Sequence, residues 1–233
     1  MDLDLTALLL WYAALLLSLT FHEAAHGWAA QRGGDPTAYL GGQVTLDPRP
    51  HIRREPFGTV VVPLLSFAAA GWMIGWASTP YDPHWALRHP RRAAWMALAG
   101  PAANACLVLV AGVVIRMGLA AGVFEPPLGI RFDHVVNSAL GGVWTTLAAL
   151  VSILFTLNLV LLVFNLIPVP PLDGAGAVSL LLPERLAARL RVAFMRPAWG
   201  FFGILVAWIA IRDLFPPVHR AAIWLLYPEL TYG

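Results

Sequence analysis

The sequence predicts an all-α polytopic membrane protein, with about four to five transmembrane helices plus a short hairpin and a re-entrant segment. Three observations carry this expectation. Apolar residues make up 59% of the chain against 12% charged, and the mean hydropathy is +0.70, a composition typical of membrane domains and not of soluble ones. Several apolar runs are long enough, at ~1.5 Å per helical residue, to cross a hydrocarbon layer of ~30 Å. Prolines and glycines fall between and inside these runs, where they end or interrupt helices. The 233 residues fit one integral membrane domain, 1–233, with a core over about 6–182 and a C-terminal helical segment over 184–233.

The first run extends from Ala7 to Ala30, and its only ionisable side chains besides Tyr12 are His22, Glu23 and His26. They spell His-Glu-x-x-His. A helix repeats every ~3.6 residues, so the two histidines project from one face with Glu23 beside them. Two neutral imidazoles so placed can hold a zinc ion at bonds of ~2 Å, and an adjacent carboxylate can take a proton from an attacking water. Ionisable groups at bilayer depth cost at least ~2.5 kcal/mol each on insertion scales, so three in one span point to function. The acidic start, Met1-Asp2-Leu3-Asp4, has no basic region, and the run is too long for a cleaved signal. Arg32, Arg49, Arg53 and Arg54 follow it, which orients the N-terminus outward and the histidines toward the cytoplasm.

Residues 33–56 are rich in Gly, Pro and charge and contain the alternating piece Tyr39–Leu46, which predicts a turn and a short hairpin. Asp47 and His51 are expected to fix or solvate this loop. Residues 57–79 are apolar but interrupted by Pro63, Gly71 and Gly75, and Gly75–Pro83 should be extended because its prolines remove donors and fix φ. A second membrane helix is expected over 93–118, behind Arg88, His89, Arg91 and Arg92. Near its start stands Asn104, whose amide suits either an interhelical hydrogen bond or a face toward substrate. Cys106, the single cysteine, excludes an internal disulfide and a thiolate metal site and is expected as a small buried apolar side chain.

Residues 119–135 read as an outer loop, and 136–165 as a third long helix with Asn158 and Asn165 as polar members. Pro168, Pro170 and Pro171 stop it, and Asp173 follows with Gly174 beyond. A carboxylate just past a broken helix suits a third metal ligand, since catalytic zinc takes three protein ligands and keeps one position open; an N-cap role is the other option. Residues 184–197 form a basic surface segment with Arg185, Arg189, Arg191 and Arg196, and 198–215 suffice for one last span. The tail from Pro216 is uninformative.

Counting crossings links these elements. For Asp173 to reach the depth of His22, an even number of spans must separate them. The second and third helices supply two, so 57–79 must enter and return. Irregular backbone at such depth needs burial in protein or a wet cavity. On this topology every arginine except Arg116, Arg131, Arg212 and Arg220 falls on the cytoplasmic side.

Composition also argues against some functions. The net charge is +2 with no basic block interleaved with aromatics, so nucleic acid is not expected as a partner. A metal transporter would commonly show an internal repeat relating its motif regions, and none is found. A non-catalytic zinc scaffold would use a fourth ligand, for which His51 or His84 would serve.

Three separated motifs resemble the site-2 protease family of intramembrane zinc metalloproteases: Phe21-His22-Glu23-Ala24-Ala25-His26, Ala99-Gly100-Pro101-Ala102-Ala103-Asn104, and Asn165-Leu166-Ile167-Pro168-Val169-Pro170-Pro171-Leu172-Asp173-Gly174. The resemblance implies that His22, His26 and Asp173 bind one Zn2+ per chain, that Glu23 is the general base, and that Asn104 and Asn165 lie near substrate. It further implies membrane-protein substrates with a transmembrane segment, a lipid bilayer as surroundings, and a bacterial-type inner membrane with the active site toward the cytoplasm. Compared with some relatives, no extra helix is expected before the motif-bearing one and no PDZ or nucleotide-sensing domain within these 233 residues.

Overall fold

A computed structural model describes residues 4–194, 197–230 and 232. Asp2 of the acidic flank and Arg196 of the basic segment lie outside the described residues. In chain order the elements are α1 (Leu5–Arg32), α2 (Thr37–Leu40), α3 (Pro48–Arg54), a π-helical turn (Phe57–Val61), α4 (Val62–Ala70), α5 (Pro83–Arg88) and α6 (Pro90–Ala120). There follow β1 (Phe124–Glu125), β2 (Asn137–Ser138), α7 (Val143–Asn165), α8 (Asp173–Ala177), a 3-10 turn (Val178–Leu181), α9 (Glu184–Phe194) and α10 (Pro197–Leu226). Among the described residues four helices are long and apolar enough to cross a membrane: α1, α6, α7 and α10 from Trp199 onward. The protein is an all-α integral membrane protein.

Contacts at the two ends show that these four helices alternate in direction. At one end Trp11 of α1 stacks on Phe132 at 5.3 Å, Phe124 meets Trp144 of α7 edge-on, and Arg116 of α6 donates to the Leu226 carbonyl at 2.8 Å. At the other end Trp85 and Arg92 both donate to the Gly33 carbonyl, at 3.1 and 3.2 Å. α1 packs most extensively on α6 and also on α7. One apolar cluster joins Trp11, Leu15 and Leu19 of α1 to Phe67 of α4 and to Ile153 and Leu157 of α7.

The stretch after α3 enters and returns. The π-helical turn has five residues and α4 nine, about 21 Å of helix at ~1.5 Å each, too short for a full span. Gly71 then adopts φ 74°, a left-handed conformation open to glycine, and reverses the chain. Residues 73–82 form neither helix nor ladder and run back alongside: Ile74 N–H donates to Ser66 Oγ at 2.9 Å and Trp76 N–H to the Gly58 carbonyl at 3.0 Å. Arg54 Nε reaches Ser78 Oγ at 3.3 Å, so the two ends of the excursion meet.

Four expectations are corrected. The hairpin at 39–46 does not form. The Asp35 carboxylate instead accepts from both the backbone and the hydroxyl of Thr37 and opens the short helix α2, which the Gly41–Gly42 pair ends. The only ladder among the described residues is in the outer loop, with Phe124 opposite Ser138 and Glu125 opposite Asn137. α7 begins at Val143 and not near 136, because Val135 and Val136 are held by Ser152 Oγ through their backbone N–H groups. α10 continues through Pro216 and Pro217 to Leu226, since Ile223 and Leu226 dock into the outer cluster with Ile115 and Phe155 and that burial outweighs the missing donors. Cys106 is exposed on α6, not buried.

Asp47 and Asp82 cap α3 and α5, each followed by proline at the first helical position, a pairing of side-chain acceptor and preset φ that starts short helices. His51 is buried and its Nε2 donates to the Thr45 carbonyl at 3.1 Å, which fixes the loop.

Candidate metal centre

His22 and His26 stand one turn apart on α1, two turns from its end at Arg32, and both are buried. Their rings lie edge to face with centroids 4.6 Å apart. His22 Nδ1 is 2.6 Å from Asn104 Oδ1, and His26 Nδ1 is 2.7 Å from the Met96 carbonyl oxygen. Both partners are acceptors, so each Nδ1 carries the proton and donates it. In the neutral form that metal binding requires, each ring then presents an Nε2 lone pair, and these two nitrogens are 2.9 Å apart. Asp173 completes the convergence, with Oδ2 at 3.1 Å from His22 Nε2 and Oδ1 at 3.3 Å from His26 Nε2.

This arrangement has too many acceptors for itself. Two lone pairs and a carboxylate aim at one buried point, and Asp173 Oδ2 has no hydrogen-bond donor. A cation at that point turns the repulsion into attraction. The spacings also suit zinc, because two bonds of ~2.0–2.1 Å at a tetrahedral angle separate their ligand atoms by roughly 3.3 Å. Nδ1–H groups bound to an amide and a carbonyl are the usual outer partners of metal-ligating histidines. The residues therefore fit a zinc ion. Among the described residues no fourth His, Cys, Asp or Glu joins the group. His84 is exposed and pairs with Asp82 at 3.4 Å, and His51 is engaged in its loop, so the fourth ligand of a structural site is not supplied by either.

Three features of the fold bring these atoms together. α6 lies against the histidine face of α1, and Gly100 is the residue at the crossing: a Cβ there would overlap His22 Nε2 and His26 Nε2. The prolines after α7 stop the helix at Asn165, and Asp173 becomes the first residue of α8. Its carboxylate turns to the histidines, while the capping position of α8 is held by Leu172, which makes no side-chain cap bond. Glu23, between the histidines in sequence, is buried, and its backbone carbonyl accepts from Thr79 Oγ1 at 2.8 Å. The returning segment of residues 73–82 is thus tied to α1 at the motif itself.

The structure brings His22, His26, Asp173 and Asn104 together. Asn104 is fully buried, and of the two roles its amide suits, the structure shows the interhelical bond: Oδ1 faces His22 and Nδ2 donates to Asn158 Oδ1 at 2.8 Å. Asn165 is half-buried at the end of α7, where its Nδ2 donates to the Leu161 carbonyl at 3.0 Å. Sequence reasoning gave no role to Gly100, Thr79, Ser18 or Asn158. A signal existed for the last two, since polar side chains in apolar spans seek partners on neighbouring helices.

The chain matches Peptidase family M50 over residues 10–210. Two similar proteins carry the name "Putative zinc metalloprotease". One is YwhC of Bacillus subtilis (strain 168), 32% identical over 220 residues that cover 94% of this chain and 84% of that protein. The other is Rip2 of Mycolicibacterium smegmatis, 31% identical over 215 residues that cover 92% of this chain and 70% of that protein. No solved structure matches the chain.

Proposed function

The chain belongs to peptidase family M50 and is an intramembrane zinc metalloprotease of the site-2 type, and from that premise we propose how its residues divide the work. His22, His26 and Asp173 would hold one zinc ion, the three protein ligands that catalytic zinc takes. Zinc, when bound there, supplies a Lewis acid that polarises the scissile carbonyl and acidifies water near neutral pH. Glu23 takes a proton from the attacking water as its oxygen bonds the carbonyl carbon, and returns that proton to the amine nitrogen as the C–N bond breaks. Asn165 lies beside the substrate and steadies the developing oxyanion, while Asn104 acts through His22. The observation that carries this reading is the meeting of His22 Nε2, His26 Nε2 and the Asp173 oxygens within 3.3 Å, from elements about 150 positions apart in sequence.

Substrates are membrane proteins whose transmembrane segment unwinds on entry, since a helix hides its carbonyls in internal bonds. The piece Gly75–Pro83 receives the unwound peptide by strand addition. Its tether at Thr79 to the Glu23 carbonyl supports this reading. The site faces the cytoplasm from a bacterial-type inner membrane, as the arginine bias favours, and residues 1–233 act as one domain.

Glu23→Gln tests the assignment. Gln keeps the shape of Glu without its proton affinity, so the variant should retain one zinc per chain and lose ~10² to 10⁴ in rate. Detergent-solubilised protein is incubated with transmembrane peptides, and new termini are read by mass spectrometry. Chelator-sensitive cleavage by the parent protein that vanishes in the variant is the expected result. Equal cleavage by both would remove Glu23 from the chemistry.

A further inference from the structure

Behind His22 runs a chain of buried hydrogen bonds whose direction is set far from the site. It begins at backbone carbonyls, which only accept. Ser18 Oγ donates to the Ala14 carbonyl at 2.7 Å, which leaves its lone pairs to accept. Asn158 Nδ2 donates to the Leu154 carbonyl at 2.8 Å and to Ser18 Oγ at 2.9 Å. The NH₂ end of Asn158 therefore cannot turn toward α6, and Oδ1 must. Asn104 answers with its own NH₂ end, Nδ2 to Asn158 Oδ1 at 2.8 Å, and so presents Oδ1 to His22 Nδ1 at 2.6 Å. Ser18, Asn104 and Asn158 are all 0% exposed, so bulk water does not touch the chain.

We infer that Asn158 is a positioning residue for the metal site: acting through Asn104, it fixes the amide orientation that forces His22 into the Nδ1–H tautomer and aims the Nε2 lone pair at the metal. Free of Asn158, Asn104 could rotate its amide by half a turn and offer NH₂ to His22. The ring would then carry its proton on Nε2, where it blocks a ligand bond. His26 does not depend on this device, because its Nδ1 donates to the Met96 backbone carbonyl, which cannot flip. The inference rests on His22 being a metal ligand, and it adds a cause, on a third helix, for that ligand's protonation state.

The test uses the whole chain in detergent, loaded with zinc and labelled with ¹⁵N-histidine, with the His22 signals assigned by their loss in His22→Ala. The His22 Nδ1–H should be present and hydrogen-bonded in the parent protein; its absence overturns the inference without any variant. In Asn158→Leu the His22 Nδ1–H signal should shift and exchange faster, the His26 signal should not, and zinc affinity measured against a competing chelator should fall about 10- to 100-fold. A general packing defect would disturb both rings. Adding Asn104→Asp should restore zinc affinity, because a carboxylate offers His22 an acceptor whichever way it faces, and a failure to recover would assign the loss to packing. Zinc affinity unchanged in Asn158→Leu but lost in His22→Ala overturns the role of Asn158 alone. Affinity unchanged in both overturns the metal assignment as well.

Discussion

At the residue scale the site is held by what stands behind each ligand as much as by the ligands. His22 and His26 are oriented by an amide and a carbonyl of α6, and α6 reaches them only because residue 100 has no side chain. Gly100→Ala should therefore be more damaging than its one added carbon suggests. The new Cβ would fall on both Nε2 atoms, helix backbone on either side gives it no room to retreat, and overpacking of this kind typically costs ~1–3 kcal/mol. We expect the purified variant to fold but to bind substoichiometric zinc, as read by metal analysis. Full zinc content in that variant would show that α6 can withdraw and that the close approach is not required. Asp173→Ala provides the matching loss from the other side of the site, leaving two histidines without a carboxylate.

At the element scale the decisive part is the excursion between α3 and α5. Its helical half is too short to span, its return half is stitched to it at Ser66 and Gly58, and its far end is tied to α1 by Thr79 and to Asp35 by the Asp82 N–H at 2.8 Å. Both ends must then share one membrane face. Single cysteines at Arg54 and Arg88, with Cys106 replaced, should react with a membrane-impermeant thiol reagent from the same side. Labelling from opposite faces would mean that 57–79 spans, and Asp173 would then end on the wrong side to meet His22. Replacing Cys106 is needed because it is exposed on the outer surface of α6.

At the scale of the whole molecule the metal site joins α1 to α8 across a long stretch of chain, with α6 packed on both. A ligand that binds only the folded state stabilises it by mass action, by ~2.7 kcal/mol when free zinc is a hundred times its dissociation constant. Stripping zinc with a chelator should lower the unfolding temperature in detergent, and zinc should restore it. Asp173→Ala should show a much smaller zinc-dependent increment. An identical increment in that variant would mean that the stabilising ion sits elsewhere.

The sequence by itself determined the membrane class, the long apolar spans and the residues that converge, because composition, run length and His-Glu-x-x-His spacing are local properties that any helix must express. It also bounded the path of 57–79, since placing Asp173 at the depth of His22 requires an even number of crossings between them. Tertiary structure decided what local pattern could not. The alternation at 39–46 looked like a hairpin, but two strands alone gain too little to outweigh the helical turn that Asp35 nucleates. Prolines at 216 and 217 promised an end to α10, yet docking of its last turns against α6 and α7 carried the helix through. The amide orientations of Asn104 and Asn158 were equally out of reach. An asparagine has no intrinsic facing, so its direction is fixed only when the carbonyl of Leu154, the hydroxyl of Ser18 and the ring of His22 are brought beside it from three helices.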